Sequence, residues 1–307
     1  MNDLLITIAI PAYNNQDTII KTIESCIAQN TSIEYEILIV DDASTDETPN
    51  ILARYLNNSK IRIITLEERV PLIANHNVCL QNALGQYIIF CHADDALEAH
   101  AIETFSNKLK QRNYPKKYIV WGHSMFRDFS QKAIYSAAFN YNEIVVGEYA
   151  PLMFLYGGLT PTGTCYSRKT FLEEGGYLHV DMNSSPSDMT TMLYLAIKGF
   201  RFEMIDEMVL LRAGSSTAIP EAGEMRYLSE LDDAFKYFIE KVDTQTITRV
   251  IKLSRKQKIK PFYFYHAITQ DSSYRGMIQS IMKREILKKP MILRSILIRK
   301  LLKRIYS

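Results

Sequence analysis

Four short apolar runs, separated by segments of helical period, constrain this chain more than any other feature. Residues 4–10 are apolar and rich in β-branched side chains, and they stop at Pro11. Residues 36–40, 61–66 and 87–90 are three further runs of the same kind. Between them Ile19, Ile20, Ile23 and Ile27 recur at helical spacing, with Asn15 or Asp17 placed to cap them. Pro49 opens a second helical segment carrying Ile51, Leu52, Tyr55 and Leu56, at a position where its missing N–H costs nothing. Residues 75–83 form a third. A short apolar run suits a strand buried on both faces, and strands alternating with helices predict βαβ units and a parallel sheet.

In open α/β sheets ligands bind beyond the carboxyl ends of the strands. Three of these ends carry polar equipment: Pro11-Ala12-Tyr13-Asn14, Asp41-Asp42, and His92-Ala93-Asp94-Asp95. Three polar loops on one sheet edge predict a shared pocket. Adjacent carboxylates repel each other and resist desolvation, so Asp94-Asp95 points to a cation or a bound hydroxyl group. The alternative is that one of them caps a helix over residues 98–112. The first helix begins without a GxGxxG turn, which argues against a dinucleotide, and no GxxxxGK[ST] is present, which excludes a P-loop.

With 47% apolar and 23% charged residues the composition is that of a globular protein, and a net charge of +2 makes no case for nucleic acid. Cys26, Cys79, Cys91 and Cys165 lack CxxC spacing and read as buried free thiols in a reducing compartment. Asp3 interrupts the leading residues, and no apolar segment reaches the ~20 residues that span a bilayer. A cytoplasmic protein is expected.

Together these motifs resemble the family 2 glycosyltransferases of GT-A fold. Pro11-Ala12-Tyr13-Asn14 is similar to that family's P-x-Y-N, and Val40-Asp41-Asp42-Ala43-Ser44-Thr45-Asp46 to its V-D-D-x-S-x-D. Asn77, Ala83, Gly85, Tyr87 and His92-Ala93-Asp94-Asp95 resemble its R-N … G-x-Y … D-x-D-D stretch. Gly175-Gly176-Tyr177, Ser187-Asp188 and Gly199-Phe200 are similar to its G-G-[FY] … E-D … G-[FY] region. The likeness covers residues 4–215. It implies an α/β chain of Rossmann-like GT-A fold, its mostly parallel central sheet flanked by helices. The domain would cover 1–215, with a nucleotide-sugar-binding half over 1–95 and an acceptor half over 96–215, and a helical region would follow over 216–307.

The resemblance also implies inverting transfer from a nucleotide-sugar, usually a UDP-sugar, to an acceptor hydroxyl, with Mn²⁺ or Mg²⁺. The donor set carried over is Pro11, Ala12, Tyr13, Asn14, Asp41, Asp42, Asn77, His92, Ala93 and Asp95. Asp94 and His92 become the metal ligands. A carboxylate at Asp41 suits the N–H of uracil; Tyr13 suits the face of the ring, or simple packing. Asp188 becomes the general base, at the start of the amphipathic run 189–198. An N-cap following Pro186 is the alternative reading of Asp188, and Asp181 is the substitute base.

The chain departs from the pattern at four positions in these motifs, and Gly214 stands where a closing R-x-H-x-x-S loop from Arg212 would carry its histidine. His92 replaces the first Asp of D-x-D, His76 replaces Arg, Ser187 replaces Glu and Tyr194 replaces Arg. Neutral imidazole at His92 suits a ribose hydroxyl, a metal ion of the Mn²⁺ type, or a structural role. Losing one negative charge predicts weaker metal affinity. The departures also motivate a rival reading: a GT-A-like module that binds a nucleotide or glycan without catalysis.

For the Gly- and Thr-rich residues 157–164 the resemblance implies a frame for the acceptor, through Thr162, Gly163 and Thr164; a plain turn is the alternative. Residues 201–211 read as an edge strand, followed by Arg212 on the acceptor or diphosphate side. From residue 221 the pattern is helical, and from Lys283 it turns basic. There Met291, Leu297, Ile298, Leu301, Leu302 and Ile305 oppose Arg299, Lys300, Lys303 and Arg304. Such a helix fits an anionic inner leaflet, which would imply a lipid-linked saccharide acceptor; packing on its own domain or on a partner subunit is the alternative.

Overall fold

The computed structural model of the protein describes residues 4–127, 133–136, 162–177, 191–192, 195 and 198–213. The first half is built as the apolar runs require. β1 (Ile6–Ala12), β2 (Tyr35–Asp41) and β4 (Tyr87–Phe90) are buried at every position; β3 (Ile61–Thr65) lies half-buried beside β2. All three junctions, β3/β2, β2/β1 and β1/β4, are parallel. Helix α1 (Ile19–Ile27) lays Ile19, Ile23 and Cys26 on the sheet. Short α2 (Thr48–Leu52) and α3 (Leu72–Asn82) complete the crossovers. Neither Asn15 nor Asp17 caps α1 with its side chain. The backbone carbonyl of Asn15 accepts from the N–H groups of Thr18 and Ile19 instead, because the Asn15 side chain is turned back to the Tyr13 N–H.

Beyond β4 the sheet becomes mixed. β5 (Ala96–Leu97), α4 (Ala101–Gln111), β6 (Tyr118–Arg127), β7 (Ala133–Ser136), β8 (Thr164–Ser167), α5 (Arg168–Glu173) and β9 (Arg201–Ala213) follow. The strand order is β3-β2-β1-β4-β8-β6-β9-β5, with β7 paired to β6. β8 runs antiparallel to both β4 and β6, and β9 parallel to β6. β9 is not the edge: the two-residue β5 covers it at Leu210 and Leu211. Asp94 and Asp95 cap no helix, since β5 intervenes and α4 starts after His100.

Two features set up the site. Chain order reverses between β1 and β4, the switch point at which α/β sheets leave a crevice. The β1/β4 ladder ends at Ala9 opposite Phe90, whereas β1 runs on along β2 to Ala12. Pro11 and Ala12 therefore belong to the strand. Past Ala9 the strand has a ladder neighbour on one side only, where a residue lacking an N–H is tolerated.

All four cysteines are buried and free. Among the described residues no helix is long and apolar enough to cross a membrane.

Candidate active site

The loops after β1 and β2 are laced together. The Asn14 N–H donates to Ser44 Oγ at 2.9 Å, and its side-chain oxygen accepts the Thr45 N–H at 2.8 Å. The Asn15 N–H donates to Thr48 Oγ1 and the Gln16 N–H to Asp46 Oδ2. Asn14 and Ala43 both take positive φ, near 52°, to make these turns. Asn14 therefore ties two loops together through its side chain, a role that spacing along the chain does not reveal.

Asp41 lies at the end of β2 with no exposed surface. Its Oδ1 accepts the Ser44 hydroxyl at 2.5 Å, while Oδ2 is buried with no hydrogen-bond partner among the described residues. Asp42 is used differently. Its Oδ1 accepts the Val70 N–H at 2.7 Å and anchors the 66–71 segment. Burial pushes the Asp42 carboxyl up, against the lowering pull of that hydrogen bond and of Arg69. The anchored segment sets the Arg69 guanidinium 4.1 Å from the centre of the Tyr13 ring. Ala12 is buried, and its carbonyl accepts the Asp42 N–H.

Across the crevice, the segment after β4 is pinned from both sides. From α1, the Thr18 hydroxyl donates to the Ala93 carbonyl, and the Thr22 hydroxyl lies within hydrogen-bond distance of the Ala93 and Asp95 carbonyls. From the other side, Thr162 accepts the His92 N–H at 3.1 Å and donates to Asp95 Oδ2 at 2.8 Å. Thr162 and Thr164 are buried, and Gly163 donates its N–H to the Phe90 carbonyl, so this part of the Gly- and Thr-rich stretch underpins the site from within the sheet. Arg212 Nε lies 4.0 Å from Asp95 Oδ2. One ring nitrogen of His92 and one carboxylate oxygen each from Asp94 and Asp95 lie within 4.8 Å of one another. An imidazole and two carboxylates at that spacing fit a divalent cation.

The two histidine departures meet here. His76, on α3, has 1% exposure and its Nε2 lies 3.1 Å from His92 Nε2; its Nδ1 is 2.9 Å from the Leu72 carbonyl. Burial holds His76 neutral by lowering its pKa to about 4. Burial first, then the neighbouring His76 and Arg212, holds His92 well below the usual histidine range. Nothing in the separate sequence motifs marked position 76 as a partner of position 92, 16 residues away, although both depart from the same pattern.

Asn77, expected at the donor, uses both ends of its amide on the Tyr177 backbone: Nδ2 donates to the carbonyl at 2.9 Å and Oδ1 accepts the N–H at 2.8 Å. Asp188 and Asp181 lie outside the described residues, as do residues 214–307 with the basic tail.

Residues 7–157 match the family model described as glycosyl transferase family 2. A 106-residue stretch is 40% identical to an uncharacterised protein of Mycobacterium tuberculosis, over 34% of this chain and 33% of that one. A 118-residue stretch is 30% identical to the Escherichia coli UDP-Glc:alpha-D-GlcNAc-diphosphoundecaprenol beta-1,3-glucosyltransferase WfgD, over 38% of this chain and 46% of the relative. The chain thus spans less than half the length of either. The crystal structure of S. aureus TarS 1–349 in complex with UDP-GlcNAc superimposes with a TM-score of 0.66 at 15% identity, covering 88% of this chain and 74% of that one. The match across the β1, β2 and β4 loops, set on this sheet, identifies a family 2 glycosyltransferase domain of GT-A fold in this chain.

Proposed function

We propose that the protein transfers a sugar from a nucleotide-sugar, in the first instance a UDP-sugar, to a hydroxyl of a saccharide or lipid-linked saccharide in surface glycan assembly. The observation that carries this reading is Asp41 Oδ2. A carboxylate oxygen buried at a strand end with no donor among the described residues is costly. The N–H of a uracil edge removes that cost. Tyr13 and Arg69 beside it supply an aromatic face and a guanidinium for a base or its ribose. The UDP-GlcNAc of the TarS complex and the lipid-linked substrate in the WfgD name support the donor and acceptor classes.

Asp94, His92 and Asp95 are the residues that would hold Mn²⁺ or Mg²⁺. When bound, such an ion stabilises a departing diphosphate as a Lewis acid. Thr162 keeps Asp95 and the His92 backbone in register with each other, and Thr18 and Thr22 hold the intervening carbonyls. Asp188 is proposed to take the proton of the acceptor hydroxyl as it attacks the anomeric carbon.

Calorimetry with UDP, with and without Mn²⁺, followed by turnover of a panel of UDP- and GDP-sugars, tests the reading. UDP binding, and turnover of one UDP-sugar, are expected. Asp188→Asn is expected to lower turnover by about 10²–10⁴-fold with UDP binding unchanged. Binding without turnover over a broad donor and acceptor panel would leave the non-catalytic module as the better reading.

A further inference from the structure

We propose that His76 is a positioning residue that locks the His92 imidazole as its Nε2–H tautomer and thereby presents His92 Nδ1 as a nitrogen ligand to a divalent cation shared with Asp94 and Asp95. This rests on the metal-dependent reading above and goes further in saying which atom of His92 serves, and why.

The argument is a count of hydrogens. The Leu72 carbonyl can only accept, so the hydrogen between it and His76 sits on His76 Nδ1. A ring with 1% exposure, packed against Phe90 and Tyr177, carries a single ring hydrogen, so His76 Nε2 is bare. Two nitrogens 3.1 Å apart must share one hydrogen, so it comes from His92 Nε2. With that hydrogen on Nε2, the lone pair of His92 lies on Nδ1.

The relay is rigidly mounted. The His76 ring packs 5.1 Å from Phe90 and 5.5 Å from Tyr177, centroid to centroid, and meets His92 edge-on at 5.2 Å. The His92 backbone is held at its N–H by Thr162 and at its carbonyl by the Asp95 N–H. A histidine ligand oriented through its other ring nitrogen is the usual way in which outer partners set metal affinity.

Two consequences follow. An imidazole nitrogen in the donor set favours Mn²⁺ over Mg²⁺. The charge argument from His92 alone is also incomplete: position 76 carries a neutral histidine, not a cation, so the lost carboxylate charge is matched by an absent positive one.

Pulsed electron paramagnetic resonance of Mn²⁺ in the presence of UDP reads the ligand directly. The wild-type protein is expected to show ¹⁴N coupling from a bound imidazole. His92→Ala should abolish that coupling and weaken Mn²⁺ about 10-fold or more. His76→Leu, which removes the acceptor, should weaken Mn²⁺ about 10-fold with the fold unchanged by circular dichroism. His76→Gln, which restores an acceptor oxygen, should recover both affinity and coupling. Bound Mn²⁺ with no imidazole coupling in the wild type overturns the inference while leaving a cation at Asp94. Equal affinity and coupling in His76→Leu and wild type overturn the positioning role. If the wild type binds no Mn²⁺, or Asp94→Asn binds it as tightly, the inference falls together with the metal-dependent reading beneath it.

Discussion

At Asp41 one carboxylate serves two purposes. Oδ1 takes the Ser44 hydroxyl and so bends the β2 loop back over the strand end; Oδ2 is left buried without a donor among the described residues. Hydrogen bonds to a charged group contribute about 1.5–3 kcal/mol, so losing Oδ2 should be felt in ligand affinity, while losing Oδ1 frees the Ser44 turn. Asp41→Ala is expected to weaken UDP about 10- to 100-fold by calorimetry. Asp94→Asn should instead leave UDP bound in the absence of metal and remove the gain in affinity that Mn²⁺ brings. The two variants together separate recognition of the base from recognition of the diphosphate. Neighbouring Asp42 has the same chemistry in sequence and a different fate in space, because its oxygen is committed to the Val70 backbone.

Among the elements, the contact between α3 and the Gly175-Gly176-Tyr177 turn shows why that motif has its composition. Gly176 has φ of +71°, and a Cβ there would come within 2.5 Å of Asn77 Oδ1. Both the backbone conformation and the approach of Asn77 therefore demand glycine. Gly176→Ala is expected to cost about 1–3 kcal/mol, read as a lower urea midpoint with an unchanged slope. The loss should propagate to His76, which shares α3 and packs on Tyr177. Gly85 is needed for a related reason: a Cβ would sit 2.5 Å from the Thr7 backbone nitrogen, where the chain enters β4 against β1.

For the molecule as a whole, Glu203 ties β9 to the neighbouring strand β6 and to helix α4. It is 1% exposed on β9 and accepts from Arg112 twice at 2.7 Å, from Lys108 at 3.1 Å and from Tyr118 at 2.6 Å. Burial alone would raise its pKa, but the hydrogen bonds from Arg112, Tyr118 and Lys108 outweigh it and hold the carboxyl at about 2, against an ordinary 4.5. A depressed carboxylate stabilises the fold fully above its unfolded pKa, and that contribution disappears as pH falls from about 4.5 to about 2. The amount at stake is on the order of 3 kcal/mol. Denaturation midpoints of wild type and Glu203→Gln should therefore converge over that window and stay apart at about pH 7.

What could be read along the chain was whatever depends on neighbours a few residues away. Residues 87–90 are apolar because the strand is covered on both faces, and the acids that end such runs mark the carboxyl edge of the sheet. The parallel order of β1 to β4 follows from alternating strand and helix. The mixed half did not announce itself: β5 is two residues long, β8 is short and polar, and each exists only because β9, β4 or β6 offers it a ladder. The roles of Asn14, Thr162 and His76 were hidden for the same reason, since their partners lie 31, 67 and 16 residues away. The amino-acid sequence alone determined the strand ends and the chemistry gathered on them, because burial and turn formation are local. Only the tertiary structure decided which of those polar atoms are committed to the scaffold and which, like Asp41 Oδ2, have no partner among the described residues, because a hydrogen bond is settled by three-dimensional distance and not by spacing along the chain.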